Sequence, residues 1–244
     1  WSNAPDWTIR DDHPDWRLLR DLTQRVARDA AGRYLLCTPD LGAAADVLLN
    51  LRGSEQLCLD VVTRPQTIKS AVDAIYASWQ KAFTRLYALA LEQGAGLIHW
   101  LGLWSNRPYA VPACDFNALI GPRHFRELFL PEIAREAAAA GRAVFHLDGP
   151  DAARHIDALL EVTEIDAIQF TPGAGSPSAL AWLDMLRRIQ SKGRSLLIFC
   201  PAQEVLTLAE SLRPEGLAIL IEQSPPPAEL DALFSEFTRR YGPA

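Results

Sequence analysis

Apolar residues along this chain follow two rhythms. In the second half, short runs that are apolar on both faces stand between amphipathic stretches, at 143–147, 166–170, 195–200 and 217–221. Each is followed by residues with helical spacing, at 151–160, 178–191, 203–212 and 228–240. Such runs predict strands buried on both sides, and their alternation with helices predicts a parallel sheet. Gly193 stands where the helix ending at Lys192 needs its terminal cap. In the first half helices dominate. Leu18 to Ala30 and Ala43 to Leu51 are amphipathic, and Ser54 opens a short helical piece. Gln66 to Gln93 repeats Val72, Ile75, Trp79, Phe83, Leu86 and Leu89 at helical spacing. Pro65 suits the entry of this long helix and Gly94-Ala-Gly96 its end. Strand candidates here are 33–38 and 97–103, and a loop rich in Pro and polar residues runs from Trp104 to Asn117. Pro122 to Ala140 is a further helix, which Pro131 kinks or divides.

Six strand candidates alternating with helices define an α/β class. A closed (β/α)8 barrel needs eight. The count fits an open doubly wound sheet or a TIM barrel lacking its first strand or strands. No G-x-G-x-x-G follows a strand and no P-loop motif occurs, so neither dinucleotide binding nor P-loop chemistry is indicated.

Of the 244 residues, 49% are hydrophobic, enough for a single domain with a large core over 1–244. Residues 1–30 read as a peripheral segment in which Trp1, Trp7 and Trp16 lie on something apolar. A net charge of −6, with no Lys/Arg-rich block, argues against nucleic acid as a partner. No apolar run approaches the ~20 residues that cross a bilayer, and the start lacks the order of a signal peptide. No membrane partner and a cytoplasmic location are expected. Cys37, Cys58, Cys114 and Cys200 are far apart and form no C-x-x-C pair, which predicts free thiols. The chain opens on Trp1 without an initiator Met, as a fragment or a processed or trimmed chain would.

The chemistry concentrates at Ala143-Val-Phe-His146-Leu-Asp148-Gly149. An apolar run ends in an imidazole and, two residues on, a carboxylate. Residues i and i+2 of a strand share a face, so His146 and Asp148 converge at the carboxyl end of a parallel strand, where α/β proteins bind ligands. They suit one divalent metal or one substrate. In the plainer reading His146 bonds a buried carboxylate and Asp148 caps the following helix.

The order of strand ends resembles the uroporphyrinogen decarboxylase-like superfamily, which also holds the corrinoid-linked methyltransferases. The resemblance is carried by Leu51-Arg-Gly-Ser-Glu55 with Asp60 and Pro65, and by Cys114-Asp-Phe-Asn-Ala-Leu-Ile-Gly-Pro122 with Phe125 and Leu130-Pro131. It continues through Phe145-His-Leu-Asp-Gly149 with Arg154-His155, Ile168-Gln-Phe with Gly173-Ala-Gly175, and Leu212-Arg-Pro-Glu-Gly-Leu217. It implies a (β/α)8 barrel with its pocket at the strands' carboxyl ends, and about a hundred residues before Trp1 or absent. The methyltransferases hold zinc with a His-x-Cys pair and a Cys near the last strand. Here the pair is His146-Leu-Asp148 and the last strand ends in Ile221-Glu222-Gln223. The arginine-rich segment with which the decarboxylases grip carboxylates has no counterpart.

These readings lead to metal-assisted methyl transfer to or from a small molecule or corrinoid protein, with zinc or another divalent metal held by His146, Asp148 and Glu222. His146 and Asp115 are the catalytic candidates. Asp40, Trp104, Gln169 and Gly173 are the substrate-binding ones, and a homodimer is a candidate assembly. Cys200 reads first as a buried inert thiol and second as a ligand or nucleophile. His99 reads as a packed core residue. The rivals are cofactor-free decarboxylation of a porphyrinogen-like substrate, with Asp115 or Asp40 stabilising positive charge, and a non-catalytic ligand-binding barrel.

Overall fold

The computed structural model describes residue 1 and residues 6–92 and 96–242. The helix end expected at Gln93 and the stop at Gly94 lie outside the described residues. The chain forms two compact units, Trp1–Ala143 and Val144–Ala244.

The first unit is mostly helical. Helix α1 (Pro14–Ala30) starts with Pro14 at its first position, where a missing N–H costs nothing, and with His13 Nδ1 accepting the Asp15 N–H at 3.3 Å. Helices α2 (Ala44–Arg52), α3 (Ser54–Thr63) and α4 (Pro65–Leu91) follow, α4 again opening on a proline. The stripe predicted for the long helix is its buried face: Val72, Ile75, Trp79, Phe83 and Leu86 are all in the core. Strand β1 (Leu36–Cys37) pairs in parallel with β2 (Leu97–Ile98), and β3 (Trp104–Ser105) pairs antiparallel with β2. A 3-10 turn (Asp115–Leu119) leads to the short α5 (Pro122–His124), a π-helical turn (Phe125–Phe129) and α6 (Leu130–Ala140). Pro131 falls in the first turn of α6. It has no N–H to give back, and the wider π turn before it absorbs the mismatch.

The second unit is the regular βα alternation. Strands β4 (Val144–Asp148), β5 (Ala167–Thr171), β6 (Ser195–Cys200) and β7 (Leu217–Ile221) form a parallel sheet in that order. The connections carry α7 (Gly149–Ala153) with α8 (Ile156–Glu161), α9 (Leu183–Ser191) after a 3-10 turn (Ala179–Trp182), and α10 (Val205–Ser211). Helix α11 (Pro227–Tyr241) ends the described chain. Phe145, Leu147, Ile168, Phe170, Leu196 and Ile198 share one sheet face, and all are buried.

These elements overturn the expectation of a (β/α)8 barrel. Among the described residues the strands number seven, four in a parallel sheet and three in a mixed one. The cause lies in the first unit. The run 97–103 leaves its ladder after Ile98, because the Gly102 N–H turns back to the His99 carbonyl at 2.8 Å. Trp104 and Ser105 then return antiparallel inside what the sequence predicts to be loop, a direction no βα repeat takes. Among the described residues no helix is long and apolar enough to cross a membrane.

Candidate functional site

The carboxyl end of the second unit's sheet brings together part of the predicted set. His146 on β4 lies directly opposite Gln169 on β5, and Asp148 opposite Thr171. Parallel partners share a face, so all four side chains project to the same side. Oε1 of Gln169 is hydrogen-bonded to Nδ1 of His146, and the Gln169 amide NH2 donates to the Thr171 hydroxyl at 2.7 Å. In this arrangement the amide oxygen faces the ring and the Thr171 hydroxyl takes the NH2. Nδ1 of His146 is therefore the donor, and the neutral ring carries its acceptor lone pair on Nε2. Gln169 is fully buried, so the relay is rigid. This is the arrangement by which an outer residue orients a metal-ligating or proton-accepting imidazole.

Asp148 is exposed, occupies the N-cap position of α7, and makes no side-chain cap bond there. The carboxylate is thus not spent on capping. Gly173 stands beside it. At φ +86° it takes a conformation that favours glycine, and an added Cβ would lie 3.3 Å from Gly149 Cα. Its lack of a side chain lets the loop after β5 sit against the turn after β4.

Glu222 and Cys200 do not join this group. The Glu222 N–H continues the β6–β7 ladder to the Cys200 carbonyl at 3.1 Å. β7 lies three places from β4, about 14 Å at the usual strand spacing of ~4.8 Å, so Glu222 cannot share an ion with His146 and Asp148. Cys200 aligns with Ile221 and, two residues back, Ile198 aligns with Phe170, so it faces the side opposite His146. Burial pushes its thiol up to about 12, helped by the charges of Glu204 and Glu222, which makes it an inert thiol.

The other predicted residues belong to the first unit. Asp40 is exposed beyond β1, with Oδ1 accepting the Gly42 N–H at 3.1 Å. Trp104 lies on β3 and is 56% exposed. Asp115 opens the 3-10 turn. Its own N–H and that of Phe116 donate to the Asp46 carboxylate, each at 3.2 Å. Burial, then the charge of Asp115, pushes Asp46 up to about 6.

Two acids in the first unit lie outside the predicted site residues. Glu132 and Glu136 lie one turn apart on α6 and are each 1% exposed. Burial raises both, and Glu136 is held well above the carboxylate range by burial and then by the Glu132 charge. The pair therefore shares a proton, with Glu136 donating to Glu132. Glutamates that fall on the apolar stripe of an otherwise alanine-rich helix are the sequence clue. Thr171, which completes the imidazole relay, had none beyond its place two residues after Gln169.

No family model, no curated protein and no solved structure matches this chain. A functional reading therefore rests on the two units' own geometry.

Proposed function

We propose that this protein is an enzyme acting on a small molecule at the carboxyl ends of β4 and β5, and that its reaction is metal-assisted methyl transfer. The observation that carries the reading is the Thr171–Gln169–His146 relay, which holds Nε2 as the acceptor nitrogen of an imidazole at the mouth of a parallel sheet. Asp148, on the same face and with no cap bond to make, is the second donor. A neutral imidazole and a carboxylate form an acceptable set for zinc or another divalent metal in a water-bearing site. Bound there, the metal would supply Lewis acidity or stabilise a thiolate acceptor. The chain's own residues orient the imidazole through Gln169 and place the loop at Gly173 against the carboxylate. The resemblance of the strand-end residues to the uroporphyrinogen decarboxylase-like superfamily, which holds the corrinoid-linked methyltransferases, supports a transferase, with a corrinoid protein as a partner to test.

The test is transfer of a methyl group from methylcobalamin to a small thiol by zinc-loaded protein. The expected result is turnover that His146→Ala abolishes and Gln169→Leu lowers by roughly ten- to a hundredfold, the usual cost of losing an outer-shell partner. Equal rates in wild type and His146→Ala would contradict the proposal.

A further inference from the structure

The first unit contains a second place where polar groups converge. A small cavity, open to solvent at its mouth, is lined by Asp40, His99, Glu136, Trp79, Phe83 and Tyr87. The three rings stack in sequence along α4, with centroids 4.8 Å and 4.0 Å apart, and form an apolar wall. Two of the polar groups are buried and incompletely bonded. His99 is 5% exposed and its Nδ1 has no hydrogen-bond partner, and Glu136 is 1% exposed with Oε1 likewise unmatched. A buried polar atom without a partner costs about 1–3 kcal/mol, so a polar occupant is favoured here.

The chemistry of that occupant is set by what surrounds it. The lining carries two acids and an imidazole, and the Tyr87 hydroxyl gives its hydrogen to the Tyr109 carbonyl at 2.6 Å. Burial holds the His99 imidazole down to about 4, against the opposing pull of Asp40, so near neutral pH the ring is uncharged, with one nitrogen a donor and the other an acceptor. The nearest buried neighbours of Glu136 on its own helix and on α2 are further acids, Glu132 and Asp46. The Arg135 guanidinium is turned away, to Asp73 at 2.8 Å and over the Tyr76 ring at 4.4 Å. The cavity thus faces the carboxyl groups of Asp40 and Glu136, the His99 ring, and aromatic rings against which a short alkyl stem packs. A primary ammonium brings three donors and no acceptor. The enclosed room is little more than a water takes, so the ion is small and its stem short.

We infer that this cavity is a binding site for a small primary ammonium ion, held by Glu136, His99 and Asp40 with its alkyl part against Trp79, Phe83 and Tyr87. The cation displaces the proton that Glu136 shares with Glu132, and the proton leaves to solvent. The site lies wholly in the first unit and stands whether or not the His146 chemistry does.

Titration calorimetry of the full chain with methylammonium and ethylammonium tests it, alongside potassium and ethanol as a spherical cation and a neutral mimic. Saturable binding of the two amines is expected, with no saturable binding of ethanol and at least tenfold weaker binding of potassium. Glu136→Gln, which keeps shape and removes charge, and His99→Phe should each weaken binding tenfold or more. Glu215→Gln, an exposed acid of the second unit, should leave it unchanged. Should either buried variant fail to fold, Asp40→Asn at the exposed rim should still weaken the amines severalfold. No saturable amine binding, which would mean a cavity filled by water alone, overturns the inference. So does amine affinity that is equal in wild type, Glu136→Gln and Asp40→Asn, or that potassium matches.

Discussion

The two units place their polar groups in opposite ways. In the second, they stand at the end of a sheet whose other face is apolar, and the relay is partnered along its length: His146 has Gln169, and Gln169 has Thr171. In the first, acids and an imidazole are sunk among helices, and several of their atoms have none, including Glu132 Oε2, Glu136 Oε1 and His99 Nδ1. The first arrangement fixes a side chain in one orientation without disturbing the core. The second stores unfavourable electrostatics, which something must relieve. A strand end is a cheap place for chemistry, while a buried acid pair is stable only with a shared proton or a bound cation.

The comparison is broken most severely by removing what the regular sheet rests on. Phe170 is fully buried and meets the Trp182 ring edge-on at 5.3 Å. Phe170→Ala should destabilise the chain by about 3–5 kcal/mol in urea denaturation, the cost of deleting a large core side chain.

The buried acids should behave in the reverse sense. A carboxyl whose folded value is raised stabilises fully below its unfolded value and loses that contribution as pH rises through the folded one. For Asp46 the window runs from 3.8 to about 6, and Glu132 and Glu136 lose stability upward in the same direction. His99 opposes them. Lowered from 6.5 to about 4, it contributes stability that is lost as pH falls through that interval. Three acids outweigh one imidazole, so stability should decline from about pH 4 toward neutrality. Glu136→Gln, whose amide can still donate to Glu132, should raise stability at pH 8 by about 1–3 kcal/mol and flatten the profile. An unchanged slope in denaturation from pH 4 to 8 would show that the pair carries no penalty.

A smaller effect sharpens the account of the sheet's mouth. Gly173→Ala meets both a left-handed backbone and a 3.3 Å approach to Gly149, and should cost about 1–2 kcal/mol. Thermal unfolding checks this, and a neutral result would mean that the loop can move off Asp148.

The second unit was largely legible in the sequence because its signals are local. The runs at 195–200 and 217–221 are the observed strands to the residue, and His146 and Asp148 fall at the strand end as their spacing requires. The limits of that reading are matters of pairing. Placing Glu222 with His146 presumed a closed ring, and only the order β4-β5-β6-β7 sets them three strands apart. The first unit was legible in its helices and not in its sheet. Stretches 33–38 and 97–103 are apolar enough for full strands, yet each yields two paired residues, because Pro39 follows one and the turn at Gly102 ends the other. Glu132 and Glu136 were hidden for another reason: an acid on an amphipathic helix reads as solvent-facing until its neighbours are known.

The central claim is that the relay at the end of β4 and β5 makes His146 a ligand in a working site. Elemental analysis of the purified full chain, wild type beside His146→Ala, tests it most directly. The account predicts one tightly held divalent metal per wild-type chain and none in a folded His146→Ala protein. A folded wild type free of metal after incubation with zinc, or equal metal in both proteins, would contradict it.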